Sequence, residues 1–364
     1  MEALVSRPWA GRRVLVTGHS GFKGSWLSLW LHAMRARVSG LALPPPTQPS
    51  LFAAARIAEL IRHHEGDVRD LATVRAVVES ERPEIIFHLA AQPLVRLSYE
   101  QPVETYATNV MGTVHVLEAA RQVPGVQAVV CVTSDKCYEN REWIWPYRES
   151  DPMGGHDPYS SSKGAAELVI SAWRRSYGGE NGPAIASVRA GNVIGGGDWA
   201  ADRLIPDLVR AFEAGVAPLI RSPDAVRPWQ HVLEALGGYL MIGERLLAGD
   251  RRFADGWNFG PAEEDARPVS WIVERMRAAW GGDTRAVRPD DGPRPHEAGL
   301  LRLDCSKARG ALGWRPALRL DQALDWIVAW HRAVGSGGDA RVITLAQIAD
   351  YRRIAEAREG RAAA

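Results

Sequence analysis

Two rhythms of apolar and polar residues alternate along the first half of the chain. Arg13–Thr17, Val38–Leu43, Ile85–Leu89, Ala128–Thr133 and Ala184–Arg189 are short, almost continuously apolar and rich in β-branched residues, and they read as strands buried on both faces. Between and after them the apolar residues recur at helical spacing. Leu27, Trp30, Leu31 and Met34 share one face, and Val103–Arg121 and Ser160–Tyr177 carry the same pattern. Strands without a polar side, alternating with helices, predict a parallel sheet covered on both faces.

Past Asn192 the rhythm changes. Gly195-Gly196-Gly197 and several prolines break it, His231–Leu247 reads as a helix, and Trp257–Gly260 reads as a strand returning to the sheet. Residues 340–364 read as a final helix with a frayed, alanine-rich end. The expected organisation is an α/β doubly wound sheet in residues 1–190, rejoined by segments near 229–260. Residues 191–364 are expected to form mainly a smaller, mixed substrate-binding domain interleaved with it. A length of 364 residues suits that division better than one small core.

Composition removes several classes of function. A net charge of +1 leaves no broad basic footprint for nucleic acid. No apolar run approaches the ~20 residues of a membrane helix, and the first thirteen residues carry no signal-peptide segment. Three cysteines without a Cys-x-x-Cys spacing disfavour a disulfide scaffold or zinc ribbon, so a reducing cytoplasm is expected. Forty of the 44 basic residues are arginine. Lys23, Lys136, Lys163 and Lys307 are therefore candidates for sites that need a compact amine with a movable pKa.

Gly18-His19-Ser20-Gly21-Phe22-Lys23-Gly24 lies between the first strand and the first helix. Glycines there permit a tight turn and close approach of a pyrophosphate to the helix N-terminus, which points to a bound dinucleotide on a Rossmann-type sheet. The acidic residue expected after the second strand is missing, since Leu43 is followed by prolines and no carboxylate occurs before Glu59. No arginine or lysine stands between Val38 and Ala55 to hold a 2′-phosphate, so NAD is favoured over NADP. Asp67 and Val68 read either as an adenine contact or as a helix cap.

Tyr159-Ser-Ser-Ser-Lys163 places a phenol and an ammonium on one helix face, an arrangement that can lower the phenol's pKa and make it a base. With eight tyrosines and four lysines in the chain, chance is a poor account of this pair. Thr133-Ser134-Asp135-Lys136 ends a buried strand at the edge where open α/β sheets bind ligands. There Ser134 could bond a substrate hydroxyl, and Asp135 could donate a proton. His231 and His296 lack metal-ligand spacing, and the fourteen tryptophans read as core or subunit packing.

The Gly18–Gly24 loop, His88-Leu89-Ala90-Ala91-Gln92, Asn109, Ser134–Lys136 and Tyr159/Lys163 resemble the extended short-chain dehydrogenase/reductase family. Gly18–Leu27, Val132–Asn140, Arg189–Trp199 and Arg227-Pro-Trp-Gln-His-Val232 are similar to its CDP-glucose 4,6-dehydratase branch, and the likeness runs from about Trp9 to Tyr351. Related dTDP-glucose dehydratases carry Thr-Asp-Glu where this chain has Ser134-Asp135-Lys136.

The resemblance implies an NAD-dependent lyase acting on CDP-glucose, in a homodimer. Ser134, Tyr159 and Lys163 would form the oxidoreductase set, with Asp135 as the acid for water loss. Lys136 would be either the carbon-5 base or an electrostatic partner of the enolate. The implied cofactor contacts are Gly18, His19, Gly21, Phe22, Lys23, Gly24, Asp67, Val68, Leu89, Ala90, Ala91, Asn109, Thr133, Tyr159 and Lys163. Gln92, Ser134, Asn192, Arg203, Leu204, Arg227 and Arg294 would hold the substrate. A sugar-nucleotide 4-epimerase shares the Tyr/Lys pair but needs no acid for elimination. A non-catalytic dinucleotide sensor would have no use for the pair.

Overall fold

The computed structural model describes the backbone of residues 8–220, 222–281, 288–289 and 299–362. Seven parallel strands form its centre: β1 (Arg13–Thr17), β2 (Arg37–Ala42), β3 (Arg62–Glu65), β4 (Ile85–His88), β5 (Ala128–Val132), β6 (Ala184–Ala190) and β7 (Gly256–Phe259). Their order is β7-β6-β5-β4-β1-β2-β3. The order reverses between β1 and β4, so a crevice opens at the carboxyl ends of those strands, where such sheets bind ligands. β3, Arg-His-His-Glu, has no apolar pattern because it is an exposed edge.

The helices that matter below are α1 (Phe22–Ala33), α2 (Leu71–Glu81), α3, α4 (Pro158–Tyr177), α5 (Leu204–Glu213), α6 (Val232–Leu247), α7 (Val269–Trp280), α8 (Leu320–Gly335) and α9 (Ala340–Ala362). α3 runs from Pro102–Tyr106 through a π turn at Ala107–Met111 into Gly112–Gln122. One face of the sheet packs α1, α6 and α9 through Trp26, Leu27, Trp30, Leu236, Tyr239 and Tyr351. The other face packs α2, α3 and α4 through Val74, Val78, Val116, Leu117 and Ile170. Each such side chain contributes about 1.5–3 kcal/mol by leaving water. A separate core of Ile205, Leu208, Phe212, Ile272, Met276, Leu324 and Ile327 joins α5, α7 and α8.

Candidate functional site

The site is built where β5 ends and α4 begins. After Val132 the chain stays extended through Ser134 and then makes one 3₁₀ turn, Asp135–Cys137. Ser134 caps that turn, accepting from the Lys136 amide at 3.2 Å and donating to Asp135 Oδ1 at 3.0 Å. α4 starts sharply because Asp157 accepts from the Ser160 amide at 2.9 Å and hydroxyl at 2.6 Å, and Pro158 fits the first turn. Tyr159 is thereby fixed in that turn, its amide donating to Ser98 Oγ at 3.1 Å and its phenol hydrogen-bonded with Ser134. Lys163 follows one turn later, buried, with Nζ 3.4 Å from the Val132 carbonyl.

Tyr159, Ser134 and Asp135 thus form one hydrogen-bonded line. Asp135 is 3% exposed, and its Oδ2 has no hydrogen-bond partner among the described residues. Burial raises its carboxyl above the ordinary range, while Lys136, Ser134, Arg227 and Lys23 pull the other way. Burial also pushes the Tyr159 phenol up to about 12, against the Ser134 hydrogen bond, and pushes the Lys163 ammonium down to about 8. The expected lowering of the phenol by Lys163 is therefore not what this arrangement provides. Desolvation outweighs it.

Two more cations face the same acid. Lys23, in the first turn of α1, is driven down to about 7 by burial and then by Arg203 and Lys163. Arg227 is buried, and its Nη1 donates to the carbonyls of Val226 and Gly299, both at 3.1 Å. Arg203 pairs with Asp198 at 3.0 Å just before Leu204 opens α5, and the Asn192 carbonyl accepts from the Gln230 amide at 3.0 Å. Lys136 is half-buried beside Asp135. Arg294 and His296 lie outside the described residues.

The glycine loop fits a dinucleotide pyrophosphate. Gly18 has φ +75°, and a Cβ there would stand 2.6 Å from the Ala90 amide nitrogen, in the Leu89–Ala91 segment that follows β4. At Gly24 a Cβ would meet the Gly18 carbonyl at 2.2 Å. Gly21 begins α1 with no side-chain cap, and Phe22 packs toward Gly195.

Other side chains in the expected cofactor and substrate sets are spent within the protein. The His19 ring turns inward, 2.7 Å from His63 Nδ1 and edge-on to Phe52. Asn109 donates to the Gln92 carbonyl and to Ser162, while the Gln92 amide group bonds Leu94 and Thr105. Thr133 donates to Glu167. Asp67 pairs with Arg69 beside the Val68 turn, and Asp70 rather than Asp67 caps α2.

Sequence reasoning passed over Glu167 and Arg189. Glu167 repeats the Tyr159/Lys163 spacing once more, and a lone arginine in the apolar strand β6 demands a buried partner. Among the described residues no group of histidines, cysteines and carboxylates could hold a metal ion, and no helix is long and apolar enough to cross a membrane. Cys131, Cys137 and Cys305 are buried thiols.

Comparison with known proteins places this geometry. The model of the family described as GDP-mannose 4,6 dehydratase matches residues 15–326. The CDP-glucose 4,6-dehydratase of Salmonella typhimurium is 56% identical over 348 residues, covering 94% of this chain and 97% of that protein. A dTDP-glucose 4,6-dehydratase of Streptomyces venezuelae, solved with NAD and TYD bound, superposes with a TM-score of 0.77 at 26% identity. That match covers 90% of this chain and 99% of the other. The UDP-glucose 4-epimerase of Thermus thermophilus shares the fold at a TM-score of 0.74 and 24% identity, over 88% and 99% of the two chains. With a family match across most of its length and a relative identical at more than half of the aligned positions, the chain belongs to the GDP-mannose 4,6 dehydratase family, within the extended short-chain dehydrogenase/reductases.

Proposed function

We propose that this protein is an NAD-dependent hydro-lyase that converts CDP-glucose to CDP-4-keto-6-deoxyglucose. The observation that carries the reading is Asp135, a buried carboxyl with a raised pKa and a free oxygen, hydrogen-bonded in line with Ser134 and Tyr159. Epimerisation at carbon 4 has no step for such an acid, whereas loss of the carbon-6 hydroxyl requires one. The 56% identity to a CDP-glucose 4,6-dehydratase supports the nucleotide and the sugar.

Tyr159 takes the proton of the carbon-4 hydroxyl, and Ser134 holds that oxygen in place. Lys163 keeps its charge beneath the pair. Once carbon 4 is a ketone the carbon-5 proton is acidic. Lys136 takes that proton and, so charged, faces the enolate together with Lys23. Asp135 gives its proton to the departing carbon-6 hydroxyl, so one water leaves, and the proton held by Lys136 returns to carbon 5 when hydride arrives at carbon 6. NAD, held along Gly18–Gly24, Leu89–Ala91 and Asp67–Val68, would take the carbon-4 hydride and return it at carbon 6, and its oxidised ring would bring the positive charge that a phenol near 12 needs to act as a base. Residues 1–190 with the β7 strand would carry the cofactor, and residues 191–364 would contribute Asn192, Arg203, Leu204, Arg227 and Arg294 to the sugar nucleotide.

We also infer a homodimer. Val103, Tyr106 and Met111 on α3 and Leu168 on α4 are exposed apolar side chains on helices of one sheet face, Val103 at 74% and Leu168 at 63%. The test of the function is incubation with CDP-, dTDP- and UDP-glucose, read by mass spectrometry. Loss of 18 mass units from CDP-glucose, ~18 being the mass of the water whose elimination defines the reaction, is the expected result. Loss from another nucleotide alone corrects the base, and loss from none rejects the reading.

A further inference from the structure

The two oxygens and three nitrogens of one buried ion pair tie α4 and β6 to both sides of the Asp135–Cys137 turn. Glu167 and Arg189 are each 4% exposed. Arg189 grips the Glu167 carboxylate with two parallel bonds, Nε to Oε1 and Nη2 to Oε2, both at 2.8 Å. Ser187 on β6 donates to Oε2 at 2.7 Å, and Thr133 donates to Oε1. The remaining Arg189 arm, Nη1, donates to the Tyr138 phenol oxygen at 2.6 Å and to the Glu149 carbonyl at 3.2 Å. Tyr138 in turn donates to Asn258 on β7 at 2.7 Å, and the Asn258 amide group holds the carbonyls of Tyr147 and Asp304.

Thr133 immediately precedes Ser134, and Tyr138 immediately follows the Asp135–Cys137 turn. Both flanks of the segment carrying the acid are therefore tied to the same pair. Glu167 lies one helical turn beyond Lys163 on α4, facing it from the opposite side to Tyr159. Removing two charges from water for stability alone is a poor trade, since an apolar pair of equal volume serves as well or better.

We propose that Glu167 and Arg189 are positioning residues for the dehydratase reaction: the carboxylate supplies the negative charge that Lys163 faces, and the guanidinium locks the Ser134–Cys137 turn against α4. This rests on the assignment of Tyr159 and Lys163 to the redox step above.

The groups facing Lys163 single out Glu167. Cys131 on β5 and Cys137 beyond it are buried thiols pushed far up, so they stay neutral; His88 on β4 is driven down to about 3 and stays neutral too. Lys23 on α1 opposes the Lys163 charge. Among these groups Glu167 is the anion, itself held ionised by Arg189, Thr133 and Ser187 against the cost of burial.

The chain has four lysines, so lysine labelled with ¹³C at Cε gives four signals, and Lys163→Arg identifies one of them. Glu167→Gln combined with Arg189→Met removes both charges of the pair, so neither is left buried without the other. In that variant the Lys163 signal should titrate about 1 pH unit lower than in the parent. Glu167→Asp, which keeps the charge, should restore most of that difference. An unchanged midpoint in the double variant overturns the proposal without touching the functional reading. The alkaline limb of kcat/KM should move with the signal. A signal that moves while the limb stays removes Lys163 from the reaction, and the positioning role falls with it.

Discussion

Replacing Asp135 by asparagine separates what the carboxyl does chemically from what it costs the fold. The two side chains have the same shape, and Ser134 donates to Oδ1 in either. Oδ2 has no partner now, and an amide nitrogen in its place would have none. The ~1–3 kcal/mol cost of an unsatisfied buried polar group is therefore present in both and cancels. What remains is the charge. Burial raises the carboxyl above its ordinary value of 3.8 in the folded chain. Between the unfolded and folded values the native state holds a proton the unfolded chain has released, so stability falls as pH rises through that window. Above the window Asp135 is a constant cost that asparagine lacks. The melting temperature of Asp135→Asn at pH 8 should equal or exceed that of the parent, with the difference closing toward pH 4. Turnover should fall by about 10²–10⁴-fold, the usual worth of a general acid, equivalent to about 2.7–5.4 kcal/mol on the barrier. The assays are thermal unfolding across pH and product formation by mass spectrometry, with the reduced cofactor followed at the same time. Turnover within tenfold of the parent, or a melting temperature several degrees lower at pH 8, would refute the reasoning.

Tyr159→Phe should lower turnover at least as far, by about 10²–10⁴-fold, with the fold intact by circular dichroism, because it removes the base while leaving the ring buried; near-normal turnover would eliminate that base. The alkaline limb of kcat/KM should lie near 8, where the Lys163 ammonium loses its proton, rather than near 10.5. The same group makes stability rise between pH 8 and 10.5, since the native state there has shed a proton the unfolded chain keeps, and titrating activity and melting temperature together checks both signs. Leu168→Arg on exposed α4 should shift the protein from dimer to monomer in light scattering at low micromolar concentration; a parent that is already monomeric contradicts the inferred interface.

How far the sequence carried the reading depended on whether each signal was local. β1, β2, β4, β5 and β6 announce themselves because strands buried on both faces are mostly apolar, and the i, i+4 pair Tyr159/Lys163 needs only the helix between them. β3 shows no apolar pattern of its own because an exposed edge carries Arg-His-His-Glu. The π turn at Ala107–Met111 has no periodic signature, though it carries Asn109. The inward turn of His19 depends on Gly40 lying bare beneath it, 21 positions away in sequence but adjacent through the β1–β2 pairing. The Glu167–Arg189 pair joins a helix to a strand and becomes meaningful only once β5 and β6 are neighbours.

Turnover of CDP-glucose carrying deuterium at carbon 4, run in ordinary water and in heavy water, tests the central claim most directly. Elimination with an internally recycled hydride predicts a product lighter by one water, with the carbon-4 deuterium found at carbon 6 in either solvent. In heavy water a second deuterium should appear at carbon 5, where the enolate is reprotonated. No lasting NADH absorbance should build up. A product of unchanged mass with deuterium still at carbon 4 would make the protein an epimerase, and a product that lost water without deuterium at carbon 6 would contradict the redox cycle assigned to Tyr159, Ser134 and Lys163.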